Sequence, residues 1–453
     1  MRVRVALLLL LLLLLPGPLG PGRTARQGGL PLPAALAGIW DRTRLPFPLP
    51  PLVRHPDVVA AIDRAVASAP DLIHAEVIGQ SVMGRSISHI RVGRGPLRVL
   101  LWSQMHGDEP TATVALFDLL NYLQANRTVP HVARLLDALT LHVVPMLNPD
   151  GAQKPERRNA QGLDINRDAL RLQTPEGRAL KSLRDRLNPS IGFNLHNQNW
   201  GTSVGDTGRP AAMSLLAVAY DKRGSDNPGR VRARKVAAVI RDAVELLAPG
   251  MVGRYGDQFE MRAFGDNLTL WGTSVILIET GPYPGPDPDR ALVRLNFVAL
   301  LTALDALASG RADLADPARY QTLPLNSSHL FHTLVRNATV VTGTGVPPFV
   351  GDVGLGASRV VLDVKGLRHV GLAGRIEDLG DLRVHGALET IEATGLTVAP
   401  LWDPRLAPGD TVRLPTRPRP KPALIAVGQP AALVLLRPAS EGAYVVERVV
   451  TIQ

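Results

Sequence analysis

Between residues 53 and 310 the apolar positions recur in two alternating rhythms. Over 55–69, 111–124, 231–247 and 291–308 they return every three or four residues, which predicts helices. Over 75–79, 87–92, 97–102, 139–146, 190–195 and 274–278, short runs rich in Val, Ile and Leu predict strands. Residues 97–102, LRVLLW, are apolar at all but one position and read as a buried strand. Strands alternating with helices predict an α/β fold: a mixed, mostly parallel sheet flanked by helices. The rhythm changes near Gly310. From about residue 323 onward come short Val/Leu/Ile runs broken by Gly, Pro and Asp, such as Thr339-Val340-Val341 and Val360-Val361-Leu362. They predict a small all-β, sandwich-like accessory domain over 311–453, with 417–422 as a proline-rich basic connector inside it. Ahead of the α/β unit, the Pro- and Gly-rich stretch 26–52 reads as a linker or an arm lying over the surface.

Composition adds an address and removes a class of partner. The 453-residue chain carries 50 Lys and Arg against 40 Asp and Glu, a net charge of +10. Only six of the basic residues are lysine, and the arginines are scattered rather than clustered. With no recognition helix or RNA-binding motif beside them, nucleic-acid binding is not expected. Met1-Arg2-Val3-Arg4 followed by an apolar run from Ala6 to Leu15 has the form of a signal peptide, set at 1–25. The run is short for a membrane span. The expected destination is therefore export, periplasmic or extracellular, without stable membrane insertion once the leader is removed; an uncleaved anchor is the alternative. The chain has no cysteine, so neither a lipid-modified anchor nor a disulfide is available.

Three separated segments carry chemistry. Residues 104–109 read QMHGDE, pairing His106 with Glu109; residues 193–196 read FNLH and end at His196; residues 275–281 read VILIETG and place Glu279 at the end of an apolar run. Each follows closely on a predicted strand, and ligands of open α/β sheets sit beyond strand carboxyl ends. Two histidines and one carboxylate leave a coordination position of zinc open, as catalysis requires. A further carboxylate nearby could then move protons. Taken singly, each has an ordinary reading: a surface capping pair, a hydrogen-bonded strand-end histidine, and, for Asp108, a helix cap.

Between them lies NPDGAQKPERRNAQGLDINRD at 148–168. With HGDE, NLH and IETG in order, the chain over 53–310 resembles the zinc metallocarboxypeptidases of the carboxypeptidase A-like family. That resemblance implies a single zinc ion held by His106, Glu109 and His196, with Glu279 as general acid/base. It implies that Arg157 polarises the scissile carbonyl, with Arg158 the adjacent alternative for an arginine contact. Asn166 and Arg167 would bind the substrate's terminal carboxylate, and Asp164 would orient a ligand histidine. The implied substrate is a peptide or amide bearing a free carboxylate. The residue types suit these roles: a guanidinium stabilises a developing oxyanion or clamps a carboxylate bidentately. The resemblance leaves the aromatic cover of the terminal residue unassigned, with Tyr255 and Tyr283 flanking the relevant region, and offers Phe264 or Asp266 for the specificity pocket. Residues 334–355 bear a second resemblance, to the opening β-segment of amidohydrolase-type enzymes, without the H-x-H motif that would follow. Two other functions stay open: a zinc-dependent amidase or endopeptidase acting on cell-wall peptides or acyl-amino acids, and a non-catalytic binding protein on the same fold.

Overall fold

The computed structural model describes residues 29–343, 345–415 and 425–452. The leader at 1–25 and the connector at 417–422 fall outside them.

The α/β unit is built on one eight-stranded sheet. Its strands are β1 (Ile73–Gln80), β2 (Ser86–Gly93), β3 (Leu97–Ser103), β4 (Leu139–Val144), β5 (Ile191–Asn197), β7 (Met213–Ala217), β8 (Val252–Arg254) and β9 (Ser274–Thr280), with the two-residue β6 (Ser203–Val204) outside the sheet. Their spatial order is β1-β2-β4-β3-β5-β9-β7-β8. The central strands β4, β3, β5 and β9 run parallel and are the more completely buried: β9 is buried at every position and β3 from Val99 onward. The outer strands alternate more, as β2 does, because one of their faces is less completely covered.

Helices α1 (Pro33–Thr43), α2 (His55–Ser68), α3 (Thr111–Ala125), α4 (Pro130–Ala138), α5 (Pro149–Gln153), α6 (Pro175–Leu187), α7 (Pro228–Glu245), α8 (Phe264–Leu270) and α9 (Pro288–Ala308) flank it. The largest apolar cluster packs α1, α3, α4, α7 and α9 on one sheet face, with Leu101, Phe117, Phe193, Ile276 and Phe297 at its centre. A smaller one holds α6 and α8 on the other, around Trp102, Met105, Leu180 and Phe264. Helix α9 is long and apolar enough to cross a membrane by composition alone, yet most of it is buried in the core.

Residues 33–43 depart from the expected linker or arm. Proline at the first helical position starts α1, and Leu36, Ala37 and Trp40 are buried against the main core. Burying a leucine stabilises by about 1.5–3 kcal/mol, enough to hold a short helix that its own propensity would not. Trp40 Nε1 also donates to Asp118 Oδ2 at 2.7 Å, and the Leu45 amide to Oδ1 at 2.8 Å.

Residues 311–321 depart from the expected boundary: they form two short helices, α10 (Arg311–Leu314) and α11 (Ala318–Gln321), that pack on α7, with α10 also on α9. The part that follows is all-β, as expected, but forms one curled sheet rather than two stacked ones. After the short β10 (Asn326–Ser327), it comprises β11 (Leu330–Val340), β12 (Phe349–Val364), β13 (Leu367–Gly380), β14 (Gly386–Glu392), β15 (Thr397–Pro400), β16 (Thr411–Val412), β17 (Ala432–Pro438) and β18 (Tyr444–Thr451). Strand β13 meets residues just outside β17 and β18: the Gly374 amide donates to Ile452 O and the Ala431 amide to Gly374 O. Val335, Val353, Leu355, Leu433 and Leu435 fill the interior. The segment 334–355 that resembles an amidohydrolase opening is the β11–β12 pair of this sheet.

Candidate active site

The parallel register assembles the centre. His196 and Glu279 are directly paired positions on β5 and β9, so their side chains leave the same face beside one another. On the other side of β5, Ser103 pairs with Leu195, which places the segment after β3 at the same end of the sheet. There Gln104 adopts φ 49°, and His106 turns towards His196. Gly107 permits a close approach: a Cβ on it would lie 2.0 Å from the backbone carbon of Gly151. The HGDE and NPDG motifs are thus interlocked backbones, the second kept in shape by Asn148, whose Oδ1 accepts from the Gly151 amide at 2.9 Å.

His106, Glu109 and His196 are all buried, with ligand atoms within 4.8 Å of one another. Glu109 Oε1 lies 2.8 Å from His106 Nδ1 and Oε2 lies 2.7 Å from His196 Nδ1. Both histidines therefore direct Nδ1 to one point, and this donor set suits a divalent zinc ion. The electrostatics agree. Burial alone would raise Glu109, but the two histidines hold it well below the usual carboxylate range. Burial would depress His106, but Glu109 and then Asp164 raise it to about 9. His196 is lowered by burial, and the charge on His106 adds to that. A metal cation at this point would replace the proton that the cluster otherwise holds.

Asp164 stands behind the first histidine, with Oδ1 3.1 Å from His106 Nε2. Its Oδ2 accepts from Arg157 Nε at 3.1 Å, which aims Arg157 at the cluster, with NH1 3.4 Å from Glu109 Oε1. Arg158 points elsewhere: it is exposed, bonds to Gly162 O, and does not line the cleft. Of the two neighbouring arginines, Arg157 is thus the one that faces the cluster.

A cleft of about 670 Å³ opens over these groups and is lined by Asn166, Arg167, Asn194, Tyr255, Asp266 and Glu279 among others. Asn166 Oδ1 accepts from the Phe264 amide at 2.9 Å, which leaves its NH₂ to donate. Arg167 donates to Asn166 O at 2.8 Å and lies 3.4 Å from Glu260. Glu279 is buried, and its Oε2 has no hydrogen-bond partner. Burial, reinforced by the charge of Glu109, pushes its carboxyl up to about 8. Gly281 completes the segment, since a Cβ there would lie 2.1 Å from Ala211 O and 2.4 Å from Gln198 Nε2.

Of the residues left open by the sequence, Tyr255 lines the cleft, with the Glu279 charge and then burial raising its hydroxyl, whereas Tyr283 packs against the main core. Asp266 lines it too, raised to about 6 by burial, while Phe264 is wholly inside the smaller apolar cluster. Asp108 is exposed and does not cap α3, whose N-cap residue is Pro110. Unforeseen members are Asn194, Asn197, Gln198, Asn199 and Thr202 around the end of β5, and 325–328 from the connection to the β domain. The polar run NLHNQN at 194–199 was the available signal for the first group.

Residues 58–211 match the family described as zinc carboxypeptidase. The chain is 35% identical over 109 residues to probable carboxypeptidase 2 of Trichophyton verrucosum, covering 24% of this chain and 21% of that protein. It is 31% identical over 132 residues to carboxypeptidase M of Mus musculus, covering 25% and 30% respectively. A solved metallo-carboxypeptidase from Pseudomonas aeruginosa aligns over 55% of this chain and 68% of its own, at 22% identity and a TM-score of 0.44. The match to the zinc carboxypeptidase family thus covers residues 58–211, and the chain spans less than a third of the length of the curated relatives it matches.

Proposed function

We propose that the protein is an exported zinc-dependent metallocarboxypeptidase that hydrolyses the C-terminal bond of peptides. The observation that carries the reading is Glu279: a buried carboxyl with an unpaired oxygen, raised to about 8, on the strand position paired with His196. A carboxyl with a pKa near neutrality can both accept and return a proton. His106, Glu109 and His196 would hold the zinc, which supplies Lewis acidity and eases the ionisation of water at neutral pH.

The chain's own groups then divide the remaining work. Asn166, through its free NH₂, and Arg167 hold the terminal carboxylate of the substrate. Arg157, kept in place by Asp164, lies against the carbonyl where negative charge develops. Glu279 takes a proton from the attacking water and returns it to the leaving amine. The leader pattern supports export.

The test is cleavage of matched peptides with free and amidated C-termini. Release of the last residue from the free form is expected, with the amide slower by about 10–100-fold for loss of the charge-assisted contact. The substitution Glu279→Gln is expected to slow cleavage by about 10²–10⁴ while zinc stays bound. Equal cleavage of both termini, or an undiminished Glu279→Gln rate, would overturn the reading.

A further inference from the structure

The β domain approaches the cleft at two places, one in its wall and one just outside it. Its connection to the α/β unit, residues 325–328, forms part of the cleft wall. Asn326 and Ser327 pair as β10 with Val204 and Ser203 of β6, and Asn326 Nδ2 donates to Gln198 Oε1 at 3.2 Å. Gln198 is in turn fixed by its amide to Thr280 O at 2.8 Å and by Nε2 to Ala211 O at 2.7 Å.

The second place lies just outside the cleft. On β12, Arg359 is largely buried; its guanidinium carbon sits 5.1 Å from the Trp200 ring centroid, and NH2 contacts Asp289 at the start of α9. Trp200 belongs to the loop that carries Gln198, Asn199 and Thr202 along the cleft. An arginine from one domain thus braces a cleft loop of the other through a cation–π contact, and is itself held by a shielded ion pair to α9.

This wall has a distinct chemistry. Gln198, Asn199, Thr202, Asn326, Ser327 and Ser328 are all uncharged amides or hydroxyls, able both to donate and to accept. The terminal carboxylate groups, Asn166 and Arg167, come from a separate segment anchored on α8. A peptide held at Arg167 by its last residue must run out of the cleft along some other wall, and amides and hydroxyls match its backbone N–H and C=O groups.

We propose that the β domain completes an extended binding subsite: residues 325–328 and 198–202 bind the peptide segment preceding the scissile bond, and Arg359 is the positioning residue that holds the loop in register. This rests on the carboxypeptidase reading for the polarity of the bound chain. The substrate class is accordingly peptides of several residues, rather than dipeptides or single acyl-amino acids.

The experiment compares a dipeptide and a hexapeptide sharing the same two C-terminal residues, both with free carboxylates. The quantity read is the ratio of their kcat/KM values in the parent, Arg359→Ala, Arg359→Lys and Asn326→Ala. The parent should favour the hexapeptide, and Arg359→Ala should lower that preference about tenfold, chiefly through KM for the longer substrate. Arg359→Lys, which keeps a cation towards Asp289, should restore part of it and guards against mere loss of folding. Asn326→Ala should lower the preference without touching Arg359. The same four comparisons made as binding affinities on a Glu279→Gln background read the subsite even where nothing is cleaved, so failure of the catalytic reading is told apart from failure of this one. A parent with no preference for length by rate and by affinity, or a preference unchanged in Arg359→Ala and Asn326→Ala, overturns the proposal.

Discussion

Replacing Asp164 by asparagine removes one charge and almost no volume, and the contacts of that carboxylate show where the charge acts. Oδ1 faces His106 Nε2 at 3.1 Å and accepts the Asn166 amide at 2.9 Å, while Oδ2 accepts Arg157 Nε at 3.1 Å. The side chain is only 10% exposed, so water screens these contacts weakly. Burial would raise Asp164, yet His106 and Arg157 hold it well below the usual carboxylate range, so it is ionised throughout the neutral region. A carboxylate behind a ligand histidine orients the ring and makes it more basic, and losing it weakens metal binding by about 10–100-fold, or about 1.4–2.7 kcal/mol. A hydrogen bond to a charged group contributes about 1.5–3 kcal/mol against about 0.5–1.5 kcal/mol for a neutral one, so loss of the charge facing His106 accounts for the lower end of that range. In Asp164→Asn an amide oxygen at the Oδ1 position still serves both His106 and the Asn166 amide, without the charge, and the NH₂ then faces Arg157. The assay is competition for zinc against a chelator of known affinity, at several pH values between 6 and 8, beside kcat on a free-C-terminal peptide. Zinc affinity should fall by the stated factor at every pH, and kcat should fall further because Arg157 is released. An affinity within about threefold of the parent, less than one kcal/mol, refutes the role given to Asp164.

Two more outcomes follow from the same geometry and from the core. Arg167→Ala should lower kcat/KM on peptides with a free terminus by about 10–100-fold while leaving the slow cleavage of amidated peptides nearly unchanged; an equal fall on both substrates would remove Arg167 from carboxylate binding. Asp118, raised by burial to about 6, tests how α1 is held. Its folded pKa lies above the unfolded value near 3.9, so its contribution is fully present below about pH 4 and is lost as pH rises through about 6. The stability of the parent relative to Asp118→Asn, from urea unfolding, should therefore fall by about 2–3 kcal/mol between pH 4 and pH 7; a difference independent of pH would contradict this.

Much of the α/β unit was legible from periodicity. Buried parallel strands leave nearly unbroken apolar runs, and β3 and β9 were recognisable for that reason. Helix α1 was not, because a Pro- and Gly-rich flank masks an apolar stripe of only Leu36, Ala37 and Trp40, and its partners lie on α3 and α9, far along the chain. Helix α6 was missed because charged residues crowd it; its buried face mixes Ala179, Leu180 and Leu183 with Glu176, Gly177 and Arg184. The β domain showed its strand content but not its closure. Val and Leu runs reveal which residues turn inward, whereas the meeting of Gly374 with Ile452 and Ala431 depends on how far the sheet curls.

For the site, sequence by itself offered a candidate inventory: His106, Glu109, His196, Asp164, Arg157, Asn166, Arg167 and Glu279, through residue types that suit metal ligation, proton transfer and carboxylate recognition and through motifs that resemble those of the zinc metallocarboxypeptidases. Tertiary structure decided which of them meet and what each becomes. The β5–β9 register sets Glu279 beside His196 and away from water, and burial there, not residue type, raises its carboxyl to about 8. Arg157 is held inward by Asp164, and Arg158 is held outward by Gly162 O. Only the folded chain brings residues 325–328 and Arg359 against the loop at 198–202, since contacts between segments over a hundred residues apart depend on packing and leave no local pattern to read.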